Sequence, residues 1–289
     1  MSIRLLNFCL VLLPAILLLG APGSVAASTE PIGLNDYVGT WASKQNWVYE
    51  GMQESDDPVP QREGEAWNRQ DISGFTVLDY ALLGASAQEL GTVQNMVQLG
   101  ARPGTGKAEG YLDPALHLAR LAVLKAPLEE WRKGIDRGGA NKVLPNGFTP
   151  LLWAAVFHPD ASVLRALMQG GADPKRGLPA EAGGHSVLHI VAEQGGDPQA
   201  VHVLIDAGLD ANALTNPQMM GETPLMLAVR RNPNPEVIKA LLERGADTKV
   251  RDTQGQRAWE GLRPEREAWL KDAGFGWLWD SAARQKRME

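Results

Sequence analysis

Cysteine is almost absent from this chain. Its 289 residues include a single cysteine, Cys9, which lies in an N-terminal segment that we expect to be removed. A mature chain without cysteine has no disulfide, no thiol nucleophile and no zinc site built on cysteine. The sequence also contains no Asn-x-Ser/Thr acceptor for glycans. Since secreted eukaryotic domains often use disulfides, both absences favour a bacterial periplasmic protein.

Positive charge is also in short supply. The chain has 28 Lys and Arg residues against 34 Asp and Glu residues, which gives a net charge of -6. A negative surface repels phosphate backbones, and no basic patch stands out, so we expect no nucleic-acid partner.

Motifs for catalysis are missing as well. The segment 101–108 approximates a phosphate-binding loop, but Ala101 and Ala108 stand where that loop needs a glycine and a Ser or Thr. We therefore predict a chain without enzymatic activity, cofactor or bound metal.

The longest apolar run lies at the N-terminus. It covers residues 5–19, follows Arg4 and precedes the small residues Ser24, Val25 and Ala26. At about 15 residues it is shorter than the roughly 20 that cross a bilayer. The pattern is typical of a signal peptide over residues 1–26 and predicts a periplasmic protein. The alternative is an uncleaved anchor that tethers a structural scaffold to the inner membrane.

Two sets of residues repeat every 37 positions in the second half of the chain. The sets are Leu151, Leu188 and Leu225, and Gly171, Gly208 and Gly245. An internal period of this length is typical of stacked repeats that bury their apolar faces only against their neighbours.

The residues around each leucine predict the start of a helix. Thr149 and Thr223 suit a helix N-cap, because a hydroxyl can accept a hydrogen bond from a free backbone N–H of the first turn. Pro150 and Pro224 follow at the first helical position, where a missing N–H costs nothing. Ser186 suits the same capping role. A second apolar stripe follows each of these helices, and the repeated glycine then ends it.

These motifs resemble the ankyrin repeat, in which Gly-x-Thr-Pro-Leu-His-x-Ala precedes Leu-Leu-x-x-Gly-Ala-Asp by about twenty residues. The resemblance implies an all-α solenoid of about five to six helix pairs, with an irregular N-terminal extension and a C-terminal capping helix. Insertions at 176–183 and 214–220 would lengthen the fingers between helix pairs. The extension would cover 27–66 and the tail 276–289. The repeats would together cover 67–275, as 67–104, 105–142, 143–176, 177–213 and 214–249, followed by a partial repeat at 250–275.

The resemblance also implies how the chain functions. Ankyrin stacks bind proteins through their fingers and the concave side of their first helices, so we expect a monomer that binds one protein partner. The corresponding positions here are Phe75, Leu83, Phe148, Val156, Phe157, His185, Glu193, Gln194, Met219, Met220, Glu222, Arg230 and Arg231. The alternative for several of the aromatic residues is burial beneath the long fingers.

Histidines lie near the starts of two predicted helices. His185, His189 and Glu193 are spaced like metal ligands on a helix, but Ser186 as N-cap places His185 outside the helix. The resemblance implies that His189 and His117 instead tie adjacent repeats together through backbone hydrogen bonds.

Aromatic anchors mark both ends of the predicted stack. Those at the C-terminus predict the capping helix, and those at the N-terminus predict packing over the first repeat or a partner contact. They are Trp259, Trp269, Trp277, Leu278 and Trp279, and Trp41, Trp47 and Tyr49.

Overall fold

The structure is a computed structural model that describes residues 68, 70, 74–85, 89–104, 113–179, 183–218 and 220–280. The predicted signal peptide, the extension with Trp41, Trp47 and Tyr49, and Met219 lie outside these residues. Across the described ranges the secondary structure comprises eleven α-helices, a short π-helix (Lys271–Phe275), a 3-10 helix (Gly276–Leu278) and no strand, which confirms the all-α prediction. No helix in this part of the chain is long and apolar enough to span a membrane.

The helices alternate between a first and a second member of each pair. They are α1 (Val77–Gly84), α2 (Leu90–Gln98), α3 (Pro114–Leu124), α4 (Leu128–Asp136), α5 (Pro150–Phe157), α6 (Ala161–Gln169), α7 (Val187–Gln194), α8 (Pro198–Asp206), α9 (Pro224–Arg231), α10 (Pro235–Glu243) and α11 (Pro264–Leu270). The first members begin 37, 36, 37 and 37 residues apart.

The predicted N-caps form. The hydroxyls of Thr149, Ser186 and Thr223 accept hydrogen bonds from backbone N–H groups in the first turns of α5, α7 and α9. The diverged second pair uses the same chemistry, because the Asp113 carboxylate caps α3 and Pro114 follows at its first position. Each cap satisfies a backbone donor that a helix start would otherwise leave free.

Glycines end the second helices as predicted. Gly171 has a φ of 97°, in the left-handed region that a side chain disfavours. Its N–H donates to the Met168 carbonyl, and the Ala172 N–H donates to the Leu167 carbonyl, which together close the last turn of α6. Gly208 and Gly245 adopt the same conformation.

The helices pack in two rows. In the first row, α3, α5, α7 and α9 contact one another in order, with α1 against α3, and in the second row α4, α6, α8 and α10 contact one another in order. The core lies between the rows and is built mainly from leucine, valine and alanine, with the large rings of Trp131 and Trp153 fully buried. Each pair is thus stabilised by its neighbours, as a solenoid requires.

Narrow fingers connect consecutive pairs. A backbone hydrogen bond closes each of four fingers at its base, from Leu144 to Phe148, from Leu178 to His185, from Thr215 to Glu222 and from Asp252 to Gln256. The middle two fingers enclose three more residues than the outer two. The insertions predicted at 176–183 and 214–220 therefore do lengthen the fingers.

The C-terminal helix α11 covers the last pair. The Arg266 guanidinium donates to the carbonyls of Ala228, Val229 and Asn232 at the end of α9, and it lies 4.0 Å from the centre of the Trp269 ring. Burial lowers the pKa of Arg266 to about 10. This contact confirms the predicted capping helix, since it satisfies carbonyls that no further repeat would reach.

Candidate functional site

Equivalent positions on the first-row helices form one surface, which we name the concave surface. They are the residue before each N-cap and the seventh and eighth residues after it. From the N-cap assignments these positions are Arg120 and Leu121, Phe148, Val156 and Phe157, His185, Glu193 and Gln194, and Glu222, Arg230 and Arg231. The corresponding residues of α1 are Phe75 and Leu83, and the Phe75 ring lies against Arg120.

The C-terminal half of the concave surface carries a network of ion pairs. Arg230 Nη1 lies 2.5 Å from Glu222 Oε1, and Arg230 Nη2 lies 2.8 Å from Asp252 Oδ2. The side chains of Glu222 and Asp252 are only 4% and 0% exposed. Burial opposes ionisation of Asp252, but hydrogen bonds from Arg230 and from the Gln256 and Gln254 N–H groups hold its pKa below the ordinary value.

Arg231 forms the accessible edge of this network. Its Nη1 lies 2.8 Å from Glu193 Oε1 and its Nη2 lies 3.8 Å from Glu222 Oε2. The Arg231 and Glu193 side chains are 35% and 28% exposed, so they are open to a partner, whereas Arg230 is 14% exposed. Arg231 and Glu193 thus present one charge of each sign to the solvent.

His189 is a structural residue next to the ion-pair network of the C-terminal half of the concave surface, which we call the charged half. Its Nδ1 accepts a hydrogen bond from the Ser186 N–H, and its Nε2 lies 3.0 Å from the Ala213 carbonyl and 3.1 Å from the Glu222 carbonyl. Burial, together with the neighbouring His185, lowers the pKa of His189 to about 4. The neutral ring therefore ties its repeat to the next finger, which confirms the predicted role.

His117 does not play the part expected of it. Its ring lies against Gly134 of α4 rather than against the next finger. The helix α3 begins at Pro114, so His117 is the fourth residue after the N-cap, whereas His189 is the third. This shift of one position rotates the side chain toward the second row.

The middle of the concave surface is apolar and largely closed. The Phe148, Trp153 and Phe157 rings stack in series, with centroid distances of 4.5 and 5.8 Å. Phe148 is only 1% exposed and Val156 is 5% exposed. Both are core residues here, not the surface residues that we expected, and burial of aromatic residues was the alternative. Phe157 remains partly accessible.

The N-terminal part of the concave surface is also buried. Leu83 packs in the core, and Phe75 is half-buried and lies 5.0 Å from the Arg120 guanidinium. Arg120 Nε lies 2.7 Å from Asp79 Oδ1, and both side chains are at most 5% exposed. Sequence reasoning missed Arg120, although Asp113-Pro114 could have aligned it with Val156.

Two further residues that we predicted to contact a partner do not belong to the accessible edge formed by Arg231 and Glu193. Glu222 is 3% exposed, so its carboxylate serves the ion-pair network instead of facing outward as expected. Met220 belongs to a finger, where its carbonyl accepts hydrogen bonds from the Thr253 N–H and hydroxyl. His185, Gln194 and Arg231 are thus the predicted residues that lie near Glu193 and remain partly accessible.

Stacked helix pairs with capped first helices, fingers and a concave surface define a helical-repeat protein of the kind that binds along an extended surface. A family model described as Ankyrin repeats (3 copies) matches residues 151–252. The stacked helix pairs within residues 151–252 are therefore ankyrin repeats, as the match over these residues supports. Ankyrin repeats generally mediate protein–protein interaction, and proteins built from them are typically binding modules without enzymatic activity.

Proposed function

We propose that this chain is an exported, periplasmic protein that binds a single protein partner and thereby inhibits or protects it. The accessible part of the charged half, formed by His185, Glu193, Gln194 and Arg231, is the contact surface in this proposal. A secreted toxin or a stress enzyme is the kind of partner that such a role would require.

The Arg231–Glu193 pair is the observation that carries the proposal. It lies on the concave surface of two consecutive repeats within the matched region, and it is the more accessible part of an otherwise buried network. Charged pairs at the edge of an interface contribute mainly to association rate and to specificity. Glu222, at the base of one long finger, lies near the pair, because its Oε2 is 3.8 Å from Arg231 Nη2.

Export is supported by the apolar run at the N-terminus and by the lack of cysteine in the rest of the chain. Periplasmic extraction of the natural source, followed by N-terminal sequencing of the purified chain, tests this part. A mature chain that begins near Ala27 supports export. An intact N-terminus in the membrane fraction would favour the membrane-tethered scaffold instead.

Affinity capture tests the binding role. The mature chain serves as bait in a periplasmic extract, beside the variants Arg231→Ala and Lys239→Ala. Lys239 is a matched control because it is an exposed cation on the second-row helix α10, paired with a single carboxylate. We expect one stoichiometric partner, retained by the Lys239 variant and weakened by the Arg231 variant.

Two outcomes count against the proposal. Equal retention by all three chains would exclude Arg231 from the contact surface. Capture of no partner at any of several salt concentrations would argue against a dedicated binding role. Equal thermal unfolding of the two variants would show that a difference in capture reflects binding and not folding.

A further inference from the structure

The first helix pair does not continue the stack in the way that the other pairs do. The second-row helices α4, α6, α8 and α10 pack on one another in order. Within the described residues, α2 has no comparable packing against α4. An ordinary first repeat would place α2 at the end of that row, so α2 must bury its apolar residues elsewhere.

The end of α1 lies beside a finger two pairs away. The Asn146 side-chain amide donates to the Leu82 carbonyl at 3.1 Å and to the Ala85 carbonyl at 3.0 Å. Asn146 lies in the finger that precedes α5, on the side at which the first-row helices begin. The C-terminal end of α1 is therefore on that side, where an ordinary first-row helix has its N-terminal end.

The middle of α2 lies at the concave surface of the fourth pair. Gln94 Nε2 donates to Gln194 Oε1 at 3.0 Å, although 100 residues separate the two. Gln194 is a concave position at the end of α7. A helix at the far end of the second row could not reach it, because two further pairs would lie between them.

Apolar residues of α2 share the burial of the concave residues. Val93 and Met96 are only 1% and 2% exposed, and both belong to the same hydrophobic core as Phe148 and Val156. Their spacing of three residues places them on one face of α2. An amphipathic helix that lies over the concave surface would bury its own apolar face and the middle of that surface together.

From these contacts we infer that α1 and α2 occupy the concave groove beside α5 and the end of α7 as an internal ligand, and that the amphipathic helix of a partner reaches this groove only when α2 leaves it. A partner helix with apolar residues three or four positions apart would take the place of α2. The inference deepens the proposed function, on which it rests for the existence of a partner. Arg231 and Glu193 of the contact surface would remain available while α2 is in place, because their side chains stay 35% and 28% exposed, whereas Gln194 would be engaged by Gln94.

Cross-linking tests the position of α2. In a full chain that carries Cys9→Ser, cysteines replace Gln94 and Gln194, and a short bismaleimide joins thiols that lie near each other. The control chain carries cysteines at Gln94 and Arg132, which would be neighbours if α2 continued the second row. We expect efficient intramolecular cross-linking of the first chain and little of the second. The reverse pattern, or no cross-link in either chain, would overturn the inference.

A second measurement tests whether the groove can be vacated. Met96→Glu places a charge on the buried face of α2, whereas Gln98→Glu places one on its exposed face. We expect the Met96 variant to bind several times more of the apolar dye ANS at unchanged helical content, and to lose the cross-link. Equal dye binding by both variants would show that α2 covers no apolar site.

The outcomes separate this inference from the proposed function. A cross-link between positions 94 and 194 in a chain that captures no protein would leave the internal ligand established and the binding role unsupported. Capture of a partner by a chain without that cross-link would support the binding role and overturn the internal ligand.

Discussion

The two halves of the concave surface use equivalent backbone positions for different chemistry. At the seventh residue after the N-cap, α3 and α5 carry Arg120 and Val156, whereas α7 and α9 carry Glu193 and Arg230. The N-terminal half is closed, because Arg120 is paired with a buried carboxylate and Val156 is in the core. The C-terminal half stays partly open, with its outermost ion pair accessible to solvent. Equivalent positions in a repeat protein therefore share geometry without sharing exposure.

Charge burial also differs between the halves. Asp79 and Arg120 form a single buried ion pair in the closed half, whereas Glu222, Arg230 and Asp252 form a shared network of ion pairs in the open half. Removal of one member of an isolated buried pair leaves an uncompensated charge, while a network can redistribute its contacts. The four predictions below test how the two halves differ in their buried polar and charged groups, from the largest expected effect to the smallest.

Asp79→Ala is expected to have the largest effect. The Asp79 carboxylate accepts hydrogen bonds from the Thr76 and Gly104 N–H groups and pairs with Arg120. Its loss leaves Arg120 buried without a counter-charge, so the free energy of unfolding should fall by about 3–5 kcal/mol. Urea unfolding followed by circular dichroism measures this change. The double variant Asp79→Ala with Arg120→Met should recover part of the loss, and the absence of any recovery would argue against the buried charge as its cause.

Arg230→Ala is expected to cost less, about 2–3 kcal/mol, although it affects two carboxylates. Glu222 keeps the more distant Arg231, and Asp252 keeps hydrogen bonds from the Gln254 and Gln256 N–H groups. Arg231→Ala is the matched control, and it should cost at most about 1 kcal/mol because that pair is partly exposed. Chemical denaturation of both variants measures the loss of unfolding free energy in each. Equal losses would mean that burial does not distinguish the two arginines.

Acidification should lower the free energy of unfolding through protonation of His189, which lies in the open, charged half of the concave surface. The pKa of His189 is about 4 in the folded chain, below the ordinary value of 6.5, because its ring is buried. The unfolded chain therefore binds more protons between these two values, and stability should fall as the pH falls from about 6.5 to about 4. The loss from this group is at most about 3 kcal/mol. In His189→Gln the dependence of the unfolding free energy on pH should be shallower over this range, and an unchanged slope would contradict the assignment.

Trp153→Phe should have the smallest effect, about 1 kcal/mol, because the loss of an unsatisfied donor offsets part of the cavity that the smaller ring leaves in the closed half. Trp153 Nε1 is buried without a hydrogen-bond partner in the described part of the chain, so the substitution removes an unsatisfied donor. Trp131→Phe is the control, because Trp131 Nε1 donates to the Ala126 carbonyl. Thermal unfolding should show that the Trp131 variant loses more stability by about 1–2 kcal/mol. An equal loss in the two variants would indicate that the orphan donor of Trp153 costs nothing.

Much of the fold could be predicted because its signals are local. A hydroxyl followed by proline, as at Thr149 and Pro150, caps a helix through atoms within one turn. Asp113 and Pro114 carry the same signal with a carboxylate, and the carboxylate form hid the alignment of α3 that would have pointed to Arg120. The role of His189 followed from its position within the motif, whereas the single-residue shift of His117 was not visible without the helix start.

The candidate site was less predictable, because exposure is not a local property. Phe148 and Glu222 occupy the same position before an N-cap as His185, yet the first two are buried and the third is partly accessible. Phe148 is buried, although the sequence predicts an accessible groove at its position. Glu222 is buried because its carboxylate forms an ion pair with Arg230. Neither outcome can be inferred from the residue type alone.

The sequence by itself determined the helix starts, the helix ends and the period of about 37 residues, because capping hydroxyls, prolines and glycines act through backbone atoms a few residues away. The tertiary structure alone decided which concave residues are accessible and where the first helix pair lies. Those features depend on contacts between residues as far apart as Gln94 and Gln194. Burial is set by whichever surface packs against a side chain, and the local pattern of a repeat specifies its own helices without specifying what covers them.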